Sequence, residues 1–410
     1  MSWTVQRRVV RATPDGAAAS PSDLDCAADP HELRPRVHMG EGAARALMAL
    51  LGQRGARKVL LVCGAESLRQ SGAEAHVRRI ARSMKLHQFE VKSARPELDD
   101  MRRGVLEFHG SRPDAVVAIG GGKVLDVAKV IATVGPTAAD PKQFILKKRA
   151  LPGRRTVQLI LVPTTAGTGS EATSFAVAYI LGVKFSLDHP SLLADEAIID
   201  PSLSDSMPLR LAAGSGLDAL CQCIESYWSV RSTPHSRALA ACGMRLALDN
   251  LEAACLEHRR AARQALCQAA LLSGQAINIT RTTAAHAMSY ALSAAYGIGH
   301  GHACAITLPA FLEYNSQVTD RDVADGRGAD FVRARIKDLL VHIRVSTPVA
   351  GAKHLRALVR AVGLEARISE LGREGPSTQW LASQVNLERA QNNPRRVGHQ
   401  ALRQVLHACN

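Results

Sequence analysis

A chain of 410 residues, 46% hydrophobic and 21% charged, has the length for two to three domains and the apolar material for one or two sizeable cores. Only 4% of it is aromatic and no run nears the roughly 18 unbroken apolar residues of a membrane helix, which argues against a base-stacking surface and a membrane partner. The formal charge of +14 is scattered in pairs such as Arg7-Arg8, Arg154-Arg155 and Arg395-Arg396, which suits a solvated surface or a pocket for an acidic small molecule rather than nucleic acid.

In chain order, residues 1–35 are rich in Ala, Pro, Ser and Asp and read as a loose leader without the apolar region of a secretory signal. The nine cysteines are scattered, with an odd total and no CxxC pair. Both features favour a reduced, cytoplasmic protein. Cys221 and Cys223 fall in an apparent helix, where buried structural thiols are expected. From residue 36 to 203, short apolar runs alternate with amphipathic stretches. KVLLVC (58–63), AVVAI (115–119) and VQLILV (157–162) read as strands; residues 41–53, 73–84 and 124–133 read as helices. That alternation predicts an α/β domain with a Rossmann-like parallel sheet. From 204 to 410 the texture becomes Ala- and Leu-rich at helical spacing, for example over 237–250 and 261–277, and predicts an all-α domain. The boundary falls near Leu203–Pro208, and no internal repeat is evident.

Two segments of the first half are candidates for a cofactor. Gly120-Gly121-Gly122-Lys123 follows the AVVAI strand and opens a helix, where glycines and free N–H groups favour phosphate. Taken alone, GGG is equally a plain tight turn. Asp126, one turn on, is placed to reach a ribose or amide, or to sit on the surface. The second segment, Thr164-Thr165-Ala166-Gly167-Thr168-Gly169-Ser170, follows the VQLILV strand with three threonines, a serine and two glycines in seven positions. Such a loop at the carboxyl end of a strand suits a phosphate or nicotinamide contact. In the second half, Asp218 and Gln222 are spaced i,i+4, and His286 and His300 flank a segment ending in Gly297 and Gly299. One carboxylate with imidazoles suits Fe²⁺ or Zn²⁺ acting as a Lewis acid, though a histidine in an Ala-rich helix is also a common core residue.

GGGKVLDVAK followed by PTTAGTGSEAT resembles the iron-containing (group III) alcohol dehydrogenase family, from about Arg36 to Asn393. The resemblance implies the two-domain architecture shared with dehydroquinate synthase. It also implies NAD(P)H held at Gly121, Gly122, Thr164, Thr165 and Thr168, with Lys123, Asp126 and Ser170 beside them. It places a metal on Asp218, Gln222, His286 and His300, where the family's aspartate is followed four residues later by histidine rather than Gln222. Tyr290 stands where relatives carry a further histidine near the substrate. Cys63-Gly64-Ala65 lacks the aspartate that NAD-preferring members place at the end of the first strand, so NADPH is admitted beside NADH.

The segments ESYWSVRSTP and NITRTTAAHA look like the branch of that family that reduces phosphonoacetaldehyde to 2-hydroxyethylphosphonate. Arg281, among threonines and five residues before His286, then reads as the clamp for an anionic group, with Thr283 and Lys184 assisting. Arg281 is alternatively a solvent-facing residue at a Thr-capped helix start. Tyr290 or His302 would relay the proton, His302 being equally placed for a structural hydrogen bond. A homodimer acting on a small anionic aldehyde is expected. The alternatives are a generic short-chain alcohol or polyol dehydrogenase, a dehydroquinate synthase-like lyase that recycles its NAD, and a catalytically decayed binding protein.

Overall fold

The computed structural model of the chain describes residues 35–372 and 374–410. Of the leader expected over residues 1–35, all but Pro35 lies outside them. The first half alternates as the apolar runs suggest: β1 (Arg36–Met39), α1 (Leu47–Gln53), β2 (Lys58–Cys63), α2 (Ala65–Gln70), α3 (Glu74–Ser83), β3 (Lys85–Glu90), α4 (Leu98–Ser111), β4 (Ala115–Gly120), α5 (Gly122–Val134), α6 (Pro141–Ile145), β5 (Gln158–Pro163), β6 (Phe175–Ile180), β7 (Val183–Asp188) and β8 (Glu196–Ile199). Six strands form one parallel sheet in the order β1-β8-β5-β4-β2-β3. Every residue of β4 and β5 is buried, as expected where helices cover both faces of a parallel sheet. One face packs on α4 and α5 through Met101, Val105, Val127 and Ile131, the other on α1 and α3 through Leu47, Leu51 and Ile80. The strand order reverses between β2 and β4, and the crevice outside such a reversal is where α/β sheets bind ligands.

β6 and β7 form a separate antiparallel hairpin. Its two-residue turn, Leu181-Gly182, has φ of 51° and 79°, the doubly positive geometry of a tight hairpin turn. The register sets Lys184 opposite Tyr179.

From Leu209 onward the described chain is helical: α7 (Leu209–Trp228), α8 (Pro234–Leu256), α9 (Arg260–Thr280), α10 (Ala284–Tyr296), α11 (His300–Ser316), α12 (Ala329–His342), α13 (Pro348–Ala361), α14 (Thr378–Ser383) and α15 (His399–Ala408). α7 is the axis of this half, buried without a break from Gly216 to Trp228 and packed against α8, α9 and α11. No helix among the described residues is long and apolar enough to cross a membrane.

Candidate active site

A cleft of about 780 Å³ runs between the carboxyl ends of the strands and the starts of α7 and α11. Gly121, Gly122, Lys123, Thr164, Thr165 and Thr168 line its sheet side, and Asp218, His300 and His302 its helical side. The start of α5 opens onto it, so backbone N–H groups and helix dipole favour a phosphate there. The glycines are not in left-handed conformations; Gly121 has φ −77°. What requires glycine is proximity: a Cβ on Gly122 would lie 2.8 Å from Thr168 Cγ2. The two cofactor loops therefore pack directly on each other.

Asp218, His286, His300 and Cys304 come together from α7, α10 and α11, each offering one donor atom, all within 4.8 Å of one another. Asp218 Oδ1 and His286 Nε2 are 3.3 Å apart, both buried and neither in a hydrogen bond. Buried polar atoms are almost always satisfied, so this orphaned pair marks a place for a cation. Carboxylate, imidazole and thiol are ligand types for divalent iron or zinc, and the donor set fits such an ion. Burial pushes the Asp218 carboxyl up, but the facing imidazoles of His286 and His300 outweigh it and hold it below the usual carboxylate range. For Cys304, too, burial opposes ionisation, and the two imidazoles bring the thiol down to about 7.

Two residues behind the cluster orient it. Glu225, fully buried on α7, bonds His286 Nδ1 and also accepts from Thr283 Oγ1 at 2.6 Å, Ala285 N at 2.9 Å and His286 N at 3.3 Å. It thus caps the start of α10 and fixes its histidine. Ser289 Oγ lies 3.1 Å from His300 Nδ1. Glu225 was legible only as the residue two helical turns beyond Asp218, and Cys304 as one turn beyond His300; neither spacing stands out without the fold.

Several expectations need correction. Gln222 reaches the cluster with its amide engaged: its Oε1 accepts from Ser273 Oγ at 2.8 Å and its Nε2 donates to Asp218 Oδ2 at 3.2 Å, which turns the NH₂ toward the carboxylate. Asp126 and Ser170 do not line the cleft. Ser170 Oγ donates to Asp126 Oδ1 at 2.7 Å, Val177 N donates to Asp126 Oδ2, and the buried Lys129 donates to Ser170 and Thr173. That network braces the threonine loop from below. Arg281 is not a free clamp either: its guanidinium pairs with Asp188, donates to the carbonyls of Ile277 and Asn278, and stacks 4.7 Å from the Phe175 ring. It ties the end of α9 to the hairpin. Thr283 is buried, donating to Glu225 and accepting from Trp228 Nε1 at 3.1 Å, which leaves it no route to a substrate.

Lys184, Tyr290 and His302 do lie at the site. The Tyr290 ring stacks on His300 with centroids 5.1 Å apart, and Lys184 Nζ sits 3.5 Å from the centre of that ring. His302 lines the cleft and its Nε2 lies 2.7 Å from the Glu365 carbonyl oxygen. Arg389, which the sequence did not single out, approaches the same tyrosine at 5.7 Å.

Known proteins match both halves of the chain. The profile of iron-containing alcohol dehydrogenases matches residues 34–201, and that of the C-terminal region of the Fe-containing alcohol dehydrogenase family matches residues 212–409. The chain belongs to the iron-containing alcohol dehydrogenase family. It is 38% identical over 308 residues to phosphonoacetaldehyde reductase from Streptomyces viridochromogenes, covering 73% of this chain and 77% of the relative. The crystal structure of sulfoacetaldehyde reductase from Bifidobacterium kashiwanohense in complex with NAD⁺ superposes with a TM-score of 0.83 at 25% identity, covering 92% of this chain and 96% of that one. A 1,3-propanediol oxidoreductase superposes at 0.80 with 27% identity, covering 92% and 99%. This iron-containing alcohol dehydrogenase family member is thus an oxidoreductase acting on alcohols and aldehydes, with a parallel-sheet half and a helical half.

Proposed function

We propose that this enzyme reduces a small anionic aldehyde of the phosphonoacetaldehyde type to its alcohol, with a divalent ion, Fe²⁺ or Zn²⁺, at Asp218, His286 and His300. The observation that carries this reading is a pair of cations beside that cluster. Lys184 Nζ lies over the Tyr290 ring, Arg389 approaches the same ring, and Arg389 Nη2 donates to the Lys184 carbonyl at 3.1 Å. Burial, and then repulsion from Arg389, pushes the Lys184 amine down to about 7. Two crowded cations are relieved by an anion, and the likeness to phosphonoacetaldehyde reductase supports the same chemistry.

Bound at these positions, a divalent ion supplies Lewis-acid polarisation of the carbonyl and a nicotinamide supplies the hydride. Gly121, Gly122 and the threonines at 164, 165 and 168 hold the cofactor's phosphates, with Lys123 adding charge. Ser67, Gln70 and Ser71 line the end of the cleft beyond β2, with no carboxylate among them. A 2′-phosphate meets no carboxylate among these lining residues, which supports acceptance of NADPH along with NADH. Lys184 and Arg389 orient the short substrate through its anionic end. A carbonyl oxygen can only accept, so His302 Nε2 carries the hydrogen bonded to Glu365. Nδ1 is then the atom free to exchange a proton. Burial pushes the Tyr290 hydroxyl well up, so it stays protonated and keeps a hydrogen to donate.

The test compares phosphonoacetaldehyde, sulfoacetaldehyde and propionaldehyde by nicotinamide oxidation. Each hydrogen bond to a charged group contributes about 1.5–3 kcal/mol, so replacing both Lys184→Met and Arg389→Leu should lower kcat/KM for the anionic aldehydes by about 100-fold or more. Propionaldehyde should change little, and Arg281→Ala should leave the ratio intact. Equal losses on charged and uncharged aldehydes would refute the anion site.

A pH dependence follows from Lys184. Its depressed folded-state pKa leaves the amine charged below about 7 and neutral above. Sulfoacetaldehyde keeps its single sulfonate charge across that range. Its KM should be low below pH 7 and then rise by about tenfold per pH unit, since binding must first restore the proton. Lys184→Met should flatten that rise; a wild-type KM that stays level from pH 6 to 9 would show that Lys184 does not meet the anion.

A further inference from the structure

Gln222 stands where the family pattern has a histidine ligand, yet both ends of its amide are engaged elsewhere: Oε1 accepts from Ser273 and Nε2 donates to Asp218 Oδ2 and, at 3.4 Å, to Thr168 O. An amide NH₂ has no lone pair to offer a cation. The cluster therefore lacks one of its expected donors on the α7 side. Cys304 offers its thiol to the same cluster. It is one helical turn beyond His300 on α11, fully buried, with Sγ 4.0 Å from His300 Nε2. It completes a set of four donor atoms within 4.8 Å. Asp218 Oδ1 and His286 Nε2 face into that same space, each on a residue 3% exposed and neither hydrogen-bonded. Four donor atoms this close need only a modest contraction to share one ion.

We infer that Cys304 is the fourth protein ligand of the metal, supplying the donor that Gln222 does not. The inference rests on the metal-dependent reading of the site. Binding exchanges the S–H bond for a sulfur–metal bond and releases the thiol proton to solvent. A thiolate in place of an imidazole softens the donor set and shifts its preference from Fe²⁺ toward Zn²⁺.

Co²⁺ titrated into the chelator-treated full-length protein reads the ligands directly, without turnover. The expected result is visible d–d bands together with a near-ultraviolet thiolate-to-cobalt charge-transfer band. Cys304→Ser should keep the d–d bands, lose the charge-transfer band and weaken Zn²⁺ binding by at least the about 10–100-fold that loss of a mere orienting residue costs. Gln222→Ala and Cys221→Ser should retain both bands, the latter as the control that another buried thiol, on α7, is not the source of the charge-transfer band. Circular dichroism establishes that each variant is folded. Cobalt bound with d–d bands but no charge-transfer band, or a charge-transfer band that survives in Cys304→Ser, overturns the Cys304 assignment while leaving the metal reading intact. A folded protein that takes up no cobalt overturns both.

Discussion

Replacing Glu225 by glutamine should weaken divalent-metal binding by about 10- to 100-fold, the usual cost of losing the residue that orients a metal-binding histidine. The carboxylate carries four interactions: three reach the start of α10, through Thr283 Oγ1 and the amides of Ala285 and His286, and one reaches His286 Nδ1. Because an ionised carboxylate only accepts, it fixes the proton on Nδ1 and leaves Nε2 as the lone-pair nitrogen facing Asp218 Oδ1. Burial alone would push the Glu225 carboxyl up; the His286 imidazole beside it holds it below the usual range. Glutamine keeps one accepting oxygen for two tasks and sets an NH₂ against whichever partner is left. The imidazole then turns or changes tautomer. Glu225→Ala is less informative, because a broken buried pair costs about 3–5 kcal/mol of stability by itself. Isothermal titration with Zn²⁺ checks the expectation. An unchanged affinity in folded Glu225→Gln would mean that α10 packing alone orients His286.

How far the sequence could be read follows the range over which each side chain finds its partner. Three interior strands, β2, β4 and β5, and the two cofactor loops were legible because their signals are local: apolar runs closed by glycine or proline, hydroxyl-rich turns at strand ends. Asp218, His286 and His300 were legible from spacing and from the family pattern. β3 was missed because KLHQFE is too polar to read as a strand, and pairs on one side only, with β2. Gln222 reaches Asp218 as its spacing on α7 implies, but its oxygen is engaged by Ser273, a residue on α9 with no sequence signal linking the two. Arg281 failed because its partner Asp188 lies 93 residues earlier, on a hairpin that sequence reasoning did not resolve. Cys304 was passed over among scattered thiols, since only the fold shows that one of them faces two imidazoles. Arg389 carries no motif at all and reaches the site because the turn at Leu387–Ala390 folds back against the Lys184 strand.

Gly301→Ala should cost far more activity than stability. A Cβ at residue 301 would lie 2.1 Å from the Gly214 carbonyl oxygen and 2.6 Å from Asp218 Cβ, distances at which α11 must back away from α7. Asp218 and His300, one on each of those helices, hold opposite sides of the metal cluster, so the contact that brings the helices together also sets the separation of the ligands. Overpacking of this kind costs about 1–3 kcal/mol of stability, which a protein of this size survives. A displacement of about 1 Å at reacting groups, by contrast, can cost about 100-fold in rate. The variant should therefore remain folded and lose kcat by about that factor, with metal affinity falling in parallel. Gly299→Ala is the matched control two residues away, where nothing lies within 4 Å of the added carbon and φ is −61°. If both variants turn over at the same rate, the close approach of α7 and α11 at Gly301 is not what sets the ligand spacing, and the cluster must be held by the Glu225 network alone.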